Sequence, residues 1–135
     1  MAIRRPLIVA AVLVVVALAW LRDPAWLAGY RHGLFPVEAD ADGLTFQWTA
    51  GRASFYVPSD SRTPEVFHVA AHPEFPTQVT VSVDGRLVDR FLAGPKWRAV
   101  NVPVAPAVSR RHRRVDVHVA MAWGPHRKGV RLRFD

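Results

Sequence analysis

From Leu44 to Phe134 apolar residues recur at alternate positions in short runs closed by Gly, Pro, Asp or Ser, and no stretch carries an apolar stripe at helical spacing. A chain patterned this way buries its apolar side chains only by building sheet. Leu44, Phe46 and Trp48 share one face of a strand and Thr45, Gln47 and Thr49 the other. Gly51 permits a tight turn; Ala53, Phe55 and Val57 then resume the alternation until Pro58 withdraws an amide donor. Phe67, Val69 and Ala71 point inward up to His72-Pro73. Val79, Val81 and Val83 lead into Asp84-Gly85, which tolerates the positive φ angles of a type I′ hairpin. A two-residue loop sets Val81 against Val88 and leaves Leu87 and Phe91 on the other face, so either a bulge intervenes or both faces are covered. Val100 and Val102, then Val115 through Trp123, then Val130, Leu132 and Phe134 extend the inward set. About eight strands spaced by turns within residues 44–135 predict an all-β domain, a two-sheet antiparallel β-sandwich of jelly-roll-like topology.

Two segments precede that domain. Within residues 1–22, Pro6 to Leu21 carries no charged side chain, and its sixteen residues as helix span about 24 Å. Arg5 and Arg22 can snorkel, and Trp20 and Trp26 suit a membrane interface. Arg4 and Arg5 face a nearly neutral Arg22-Asp23, so the positive-inside bias predicts one N-terminal transmembrane helix with the C-terminal domain extracytoplasmic, at a bacterial cell envelope. The rival is a signal peptide cut after Ala17-Leu18-Ala19, which would release a soluble exported protein. Residues 23–43, rich in Gly, Pro and Asp, read as a juxtamembrane linker that can add an edge strand at Leu34–Val37.

The formal charge of +7 overstates the domain's basicity. Of 18 basic side chains, Arg4, Arg5 and Arg22 flank the apolar run, leaving 15 against 11 acidic ones, so nucleic acid is not the expected partner. The absence of Cys removes disulfides, thiolate zinc sites and Cys nucleophiles together.

Phe46-Gln47-Trp48-Thr49 with Gly51-Arg52-Ala53, then Val81 to Arg86, then Trp97-Arg98-Ala99-Val100 with Val102-Pro103 form an order of elements that resembles small jelly-roll sandwiches similar to carbohydrate-binding modules. Such modules occur in bacterial envelope proteins and beside membrane glycosyltransferases. The resemblance covers about residues 44–134 and implies a non-catalytic role linked to glycan or envelope assembly.

Sugar recognition needs exposed aromatic rings with polar groups nearby. Trp48, Phe55, Phe67 and Trp123 keep parity with inward aliphatics and are expected in the core, whereas Tyr56 and Trp97 fall on outward positions and are the candidate platform. Asp116 and His118, two apart on one outward strand face, could share a proton or a ligand. His68 and His72 have the spacing of a helical metal pair but lie in a strand, and Asp40-Ala41-Asp42-Gly43 lacks the later ligands of an EF-hand, so neither a metal nor a cofactor is expected. Arg110, Arg111, Arg113 and Arg114 are expected to form a basic loop tip able to meet anionic lipid or polysaccharide. No nucleophile motif is present, so the expected function is a membrane-anchored, non-catalytic module binding a glycan or an envelope protein partner. The alternatives are a pure interaction scaffold and, further off, a small hydrolase or metal enzyme.

Overall fold

The computed structural model describes residues 4–22, 25–59, 64–103 and 112–134. After a helix α1 (Arg4–Arg22) and a 3-10 turn (Ala25–Gly29), nine strands follow among the described residues: β1 Arg31–Leu34, β2 Glu38–Ala39, β3 Thr45–Pro58, β4 Glu65–Ala70, β5 Thr77–Val83, β6 Arg86–Ala93, β7 Arg98–Val102, β8 His112–Val119 and β9 Arg131–Phe134. All pairings are antiparallel, in the order β6-β5-β8-β3-β9-β4-β7, with β1 and β2 also against β3.

The all-β antiparallel architecture is as expected, but the two sheets of the expected sandwich are one sheet folded over. Strand β3 runs through Gly51 without turning, and its 14 residues serve both halves. Its first part pairs with β9 (Gln47↔Leu132, Trp48↔Arg131), and its second with β8 (Arg52↔His118 to Pro58↔His112) and β1 (Arg31↔Phe55). The chain therefore makes a β8 layer, β6-β5-β8-β3-β1, and a β9 layer, β3-β9-β4-β7. The links β4–β5, β6–β7, β7–β8 and β8–β9 each cross between layers, the jelly-roll manner of connection.

Between the layers lies one core. Phe55 on β3 meets Phe67 on β4 and Phe134 on β9 edge to face at 5.2 and 4.9 Å. Val79, Val81, Val115 and Val117 press on it from the β8 layer, and Val69, Val100, Val130 and Leu132 from the β9 layer. At the joint, Thr49 is fully buried. Its amide donates to Val130 O at 2.7 Å, its hydroxyl accepts from Val130 N at 3.1 Å, and its carbonyl accepts from Gly129 N at 2.6 Å. A side chain at Gly129 would put a Cβ 2.5 Å from Thr49 Oγ1, so the strands close here only around glycine.

The hairpin forms as its residues require: Asp84 and Gly85 both have positive φ (50° and 81°), and Val83 opposes Arg86. Val81 opposes Asp89 rather than Val88, because the register shifts between Val81 and Ser82. That bulge lets Phe91 reach the core opposite Val79 while Val88 packs at its margin, and Leu87 stays outside. β8 ends at Val119, so Met121 is exposed rather than inward.

Helix α1 forms over the expected stretch, and its apolar side chains from Leu7 to Leu18 stay exposed. The expectation of a transmembrane helix goes further than this: among the described residues, no helix is long and apolar enough to cross a membrane. After it, Leu27 of the 3-10 turn is buried and projects Trp26 and Tyr30 outward.

Candidate functional site

Inward parity on β4, β7 and β9 leaves the intervening residues on the outer face of the β9 layer. β3 obeys the same rule across the joint: Ala53 and Phe55 face inward with Thr49, so Phe46 and Trp48 face outward. Trp48 is nonetheless only 8% exposed, because other rings cover it. It meets Phe46 at 6.0 Å and Trp123 at 5.0 Å, both edge on. Trp123 in turn lies 4.4 Å from His72 and parallel to the ring of Phe75. Trp48 and Trp123, expected in the core, thus form a second apolar cluster outside it.

Two guanidinium groups thread this cluster, and Lys128 Nζ approaches the Trp48 ring at 5.9 Å. The Arg131 guanidinium lies 5.0 Å from the Trp97 ring, 5.6 Å from Phe46 and 5.7 Å from Trp48, and its Nη2 donates to the carbonyls of Ala71 and Pro95. Arg133 sits 5.2 Å from Trp97, so one half-buried indole receives two guanidinium groups. Burial lowers the Arg131 pKa from its ordinary value, with the nearby Asp40 charge opposing the shift, and a guanidinium so held remains a cation. Phe46 links the face to a groove of about 150 Å³ where Arg31 of β1 approaches β9. There Arg31 stacks 4.4 Å over Phe134 and donates to Gln47 Oε1 at 2.7 Å, while Gln47 Nε2 donates to Phe35 O. Aromatic floor and fixed polar groups are the ingredients of a sugar subsite.

The expected site residues divide between opposite faces. Trp97 belongs to the β9 layer, with Phe46 at 6.5 Å. Tyr56, Asp116 and His118 lie together on the outer face of the β8 layer, on adjacent strands. Tyr56 packs edge to face on Tyr30 at 5.9 Å, which in turn meets Trp26 at 6.0 Å. Asp116 accepts from Ser54 Oγ at 2.5 Å and Arg114 Nε at 3.0 Å; no contact joins it to His118. His32 stands opposite Ser54 in the same row, but the acid bonds to the serine and not to a histidine, which is not the order that activates a nucleophile. Among the described residues no three His, Asp or Glu side chains converge as metal ligands.

The basic cluster differs from the expected loop tip. Arg113 and Arg114 stand in β8, with Asp84 accepting from Arg113 Nε at 3.2 Å and from the Arg114 amide at 3.0 Å. Arg113 also donates to Pro103 O. Arg110 and Arg111 lie outside the described residues. Phe46, Arg131 and Arg133 are functional candidates the sequence reading passed over, although the alternation of Arg131-Leu132-Arg133-Phe134 already placed both arginines outward.

No protein-family model matches this chain, and no curated protein matches it. Solved structures similar to it include a family two carbohydrate esterase from Clostridium thermocellum in complex with cellohexaose (TM-score 0.48, 9% identity, covering 78% of this chain and 31% of the esterase). A family 35 carbohydrate-binding module from Clostridium thermocellum is similar at TM-score 0.43 and 10% identity, over 78% of this chain and 87% of the module. A GH26-CBM35 β-(1,4)-mannanase from Podospora anserina is similar at TM-score 0.40 and 15% identity, over 78% of this chain and 26% of that protein. The chain thus spans about a third of the esterase's length.

Proposed function

We propose that the domain is a non-catalytic glycan-binding module, displayed outside the cytoplasm by α1, with its ligand on the outer face of the β9 layer. The observation that carries this is the setting of Trp97: a half-buried indole that the core does not use, backed by Arg131 and Arg133 and continuous through Phe46 with the Arg31–Gln47 groove. Sugar rings stack on such a face and their hydroxyls bond to amide and guanidinium donors. The exposed Leu7–Leu18 side chains of α1 and the positive-inside bias of Arg4 and Arg5 support the anchor.

The test is a glycan array with the full chain in detergent, wild type against Trp97→Ala. The reading requires binding by wild type and its loss, tenfold or more, in the variant, since ring stacking is worth about 1 kcal/mol or more before hydroxyl bonds are counted. Equal binding by the two proteins removes Trp97 from the site. Intact N-terminus in membrane fractions supports the anchor, and a mature chain beginning at Trp20 refutes it.

A further inference from the structure

The outer face of the β8 layer carries a different arrangement. Across β6, β5, β8 and β3 the pairing aligns Arg90, Thr80, His118 and Arg52 in one row. At a strand spacing of about 4.8 Å its two arginines lie roughly 14 Å apart. The next row reads Leu87, Ser82, Asp116 and Ser54. Arg52 and Arg90 are exposed, and neither forms an ion pair among the described residues. The carboxylates nearby are taken: Asp116 holds Arg114, and Asp84 at the hairpin tip holds Arg113. The face is therefore cationic, with short polar side chains between its charges.

Its margins are apolar and exposed. Leu92 is 67% and Leu87 58% exposed on β6, and at the opposite margin Trp26, 57% exposed, follows Tyr30 and Tyr56 in a chain of edge-on rings that begins just past the end of α1. Arginines spread over a sheet face, bordered by Leu on one side and by Trp and Tyr on the other, match the charge and layering of an anionic bilayer surface.

We propose that the outer face of the β8 layer rests on the anionic lipid headgroups of the membrane into which α1 inserts. This contact rests on the anchor reading and would leave the β9 face turned toward the ligand. It gives Arg52, Arg90 and Trp26 a common role that neither the core nor the glycan site gives them.

The chain has no cysteine, so one introduced thiol carries a unique fluorophore. Full-length Leu92→Cys reports the β8 face, and Asn101→Cys, exposed on β7, reports the opposite one. Both are reconstituted with phosphatidylcholine vesicles, with or without phosphatidylserine, bearing a headgroup quencher. Flotation with the neutral vesicles reads the anchor alone. The proposal requires that phosphatidylserine increase quenching of the Leu92 label several-fold over that of the Asn101 label. Arg52→Glu or Arg90→Glu, each a change of two charges, should reduce that excess about fivefold or more, and salt well above physiological strength should abolish it. Equal quenching at the two positions, no response to phosphatidylserine, or indifference to both charge reversals overturns the contact. If α1 is not an anchor, the chain fails to float with neutral vesicles whatever the labels show. Retained far-UV circular dichroism excludes misfolding of the charge variants.

Discussion

The two outer faces of this molecule are built from the same residue types to opposite ends. On the β9 layer, Arg131 and Arg133 lie against Trp97, Phe46 and Trp48, and Arg131 gives two of its donors to backbone carbonyls. On the β8 layer, Arg52 and Arg90 stand among Ser and Thr, exposed to solvent. A guanidinium between rings is part of the fold, and its removal leaves a hole. A guanidinium on a bare sheet adds little to stability and leaves its charge available to a partner. Composition is blind to this distinction, and only pairing shows which arginines are already engaged.

The largest expected effect erases the comparison. Phe67, on β4 of the β9 layer, is buried between the layers and touches Phe55 across the core, so Phe67→Ala should cost about 3–5 kcal/mol, a large share of the stability of so small a domain. Urea titration should show Trp fluorescence, to which Trp48, Trp97 and Trp123 of the β9 face contribute three of five indoles, and far-UV circular dichroism moving together to a lower midpoint. Separate transitions would mean that the layers unfold independently and that β3 does not couple them.

A smaller effect sharpens it. Arg131→Lys keeps the charge but loses the planar group between three rings, and it should destabilise by about 1–2 kcal/mol. Arg90→Lys on the other face should leave the urea midpoint unchanged. If the two substitutions cost the same, the cation–π stack is ornamental and the two faces are alike.

Much of the fold was legible because strand parity is local. Phe67 and Val69, Val100 and Val102, Val130 and Leu132 all face inward as their alternation requires, and Asp84-Gly85 makes the hairpin its φ angles suit. Parity failed at Trp48 because Gly51, which looks like a turn, is interior to β3; with the strand unbroken, the register counted back from Phe55 puts Thr49 inward and Trp48 outward. The site was less legible for a related reason. Parity separates in from out within one strand but does not say to which layer a strand belongs, so Tyr56 and Trp97 were both outward yet lie on opposite faces. The aromatic cluster draws on residues 46, 48, 72, 97 and 123, and no local pattern announces their meeting.

A small effect on stability separates the faces most sharply. Asp116 is partly exposed and binds Ser54 and Arg114. In Asp116→Asn the amide oxygen still accepts from Ser54 while the ion pair to Arg114 is lost, so the stability cost should stay below about 1 kcal/mol. The same substitution removes a negative charge from the β8 face and frees the Arg114 guanidinium toward solvent. If that face meets anionic lipid, quenching of the Leu92 label should rise, by up to about fivefold for each positive charge gained. The β9 face, on the far side of the core, should bind its glycan as before. A variant slightly less stable than wild type yet held more firmly against phosphatidylserine cannot be explained by a change in folding, because weaker folding alone would loosen both contacts. A fall in quenching on this substitution would instead mean that Asp116 orders the face for a partner other than anionic lipid.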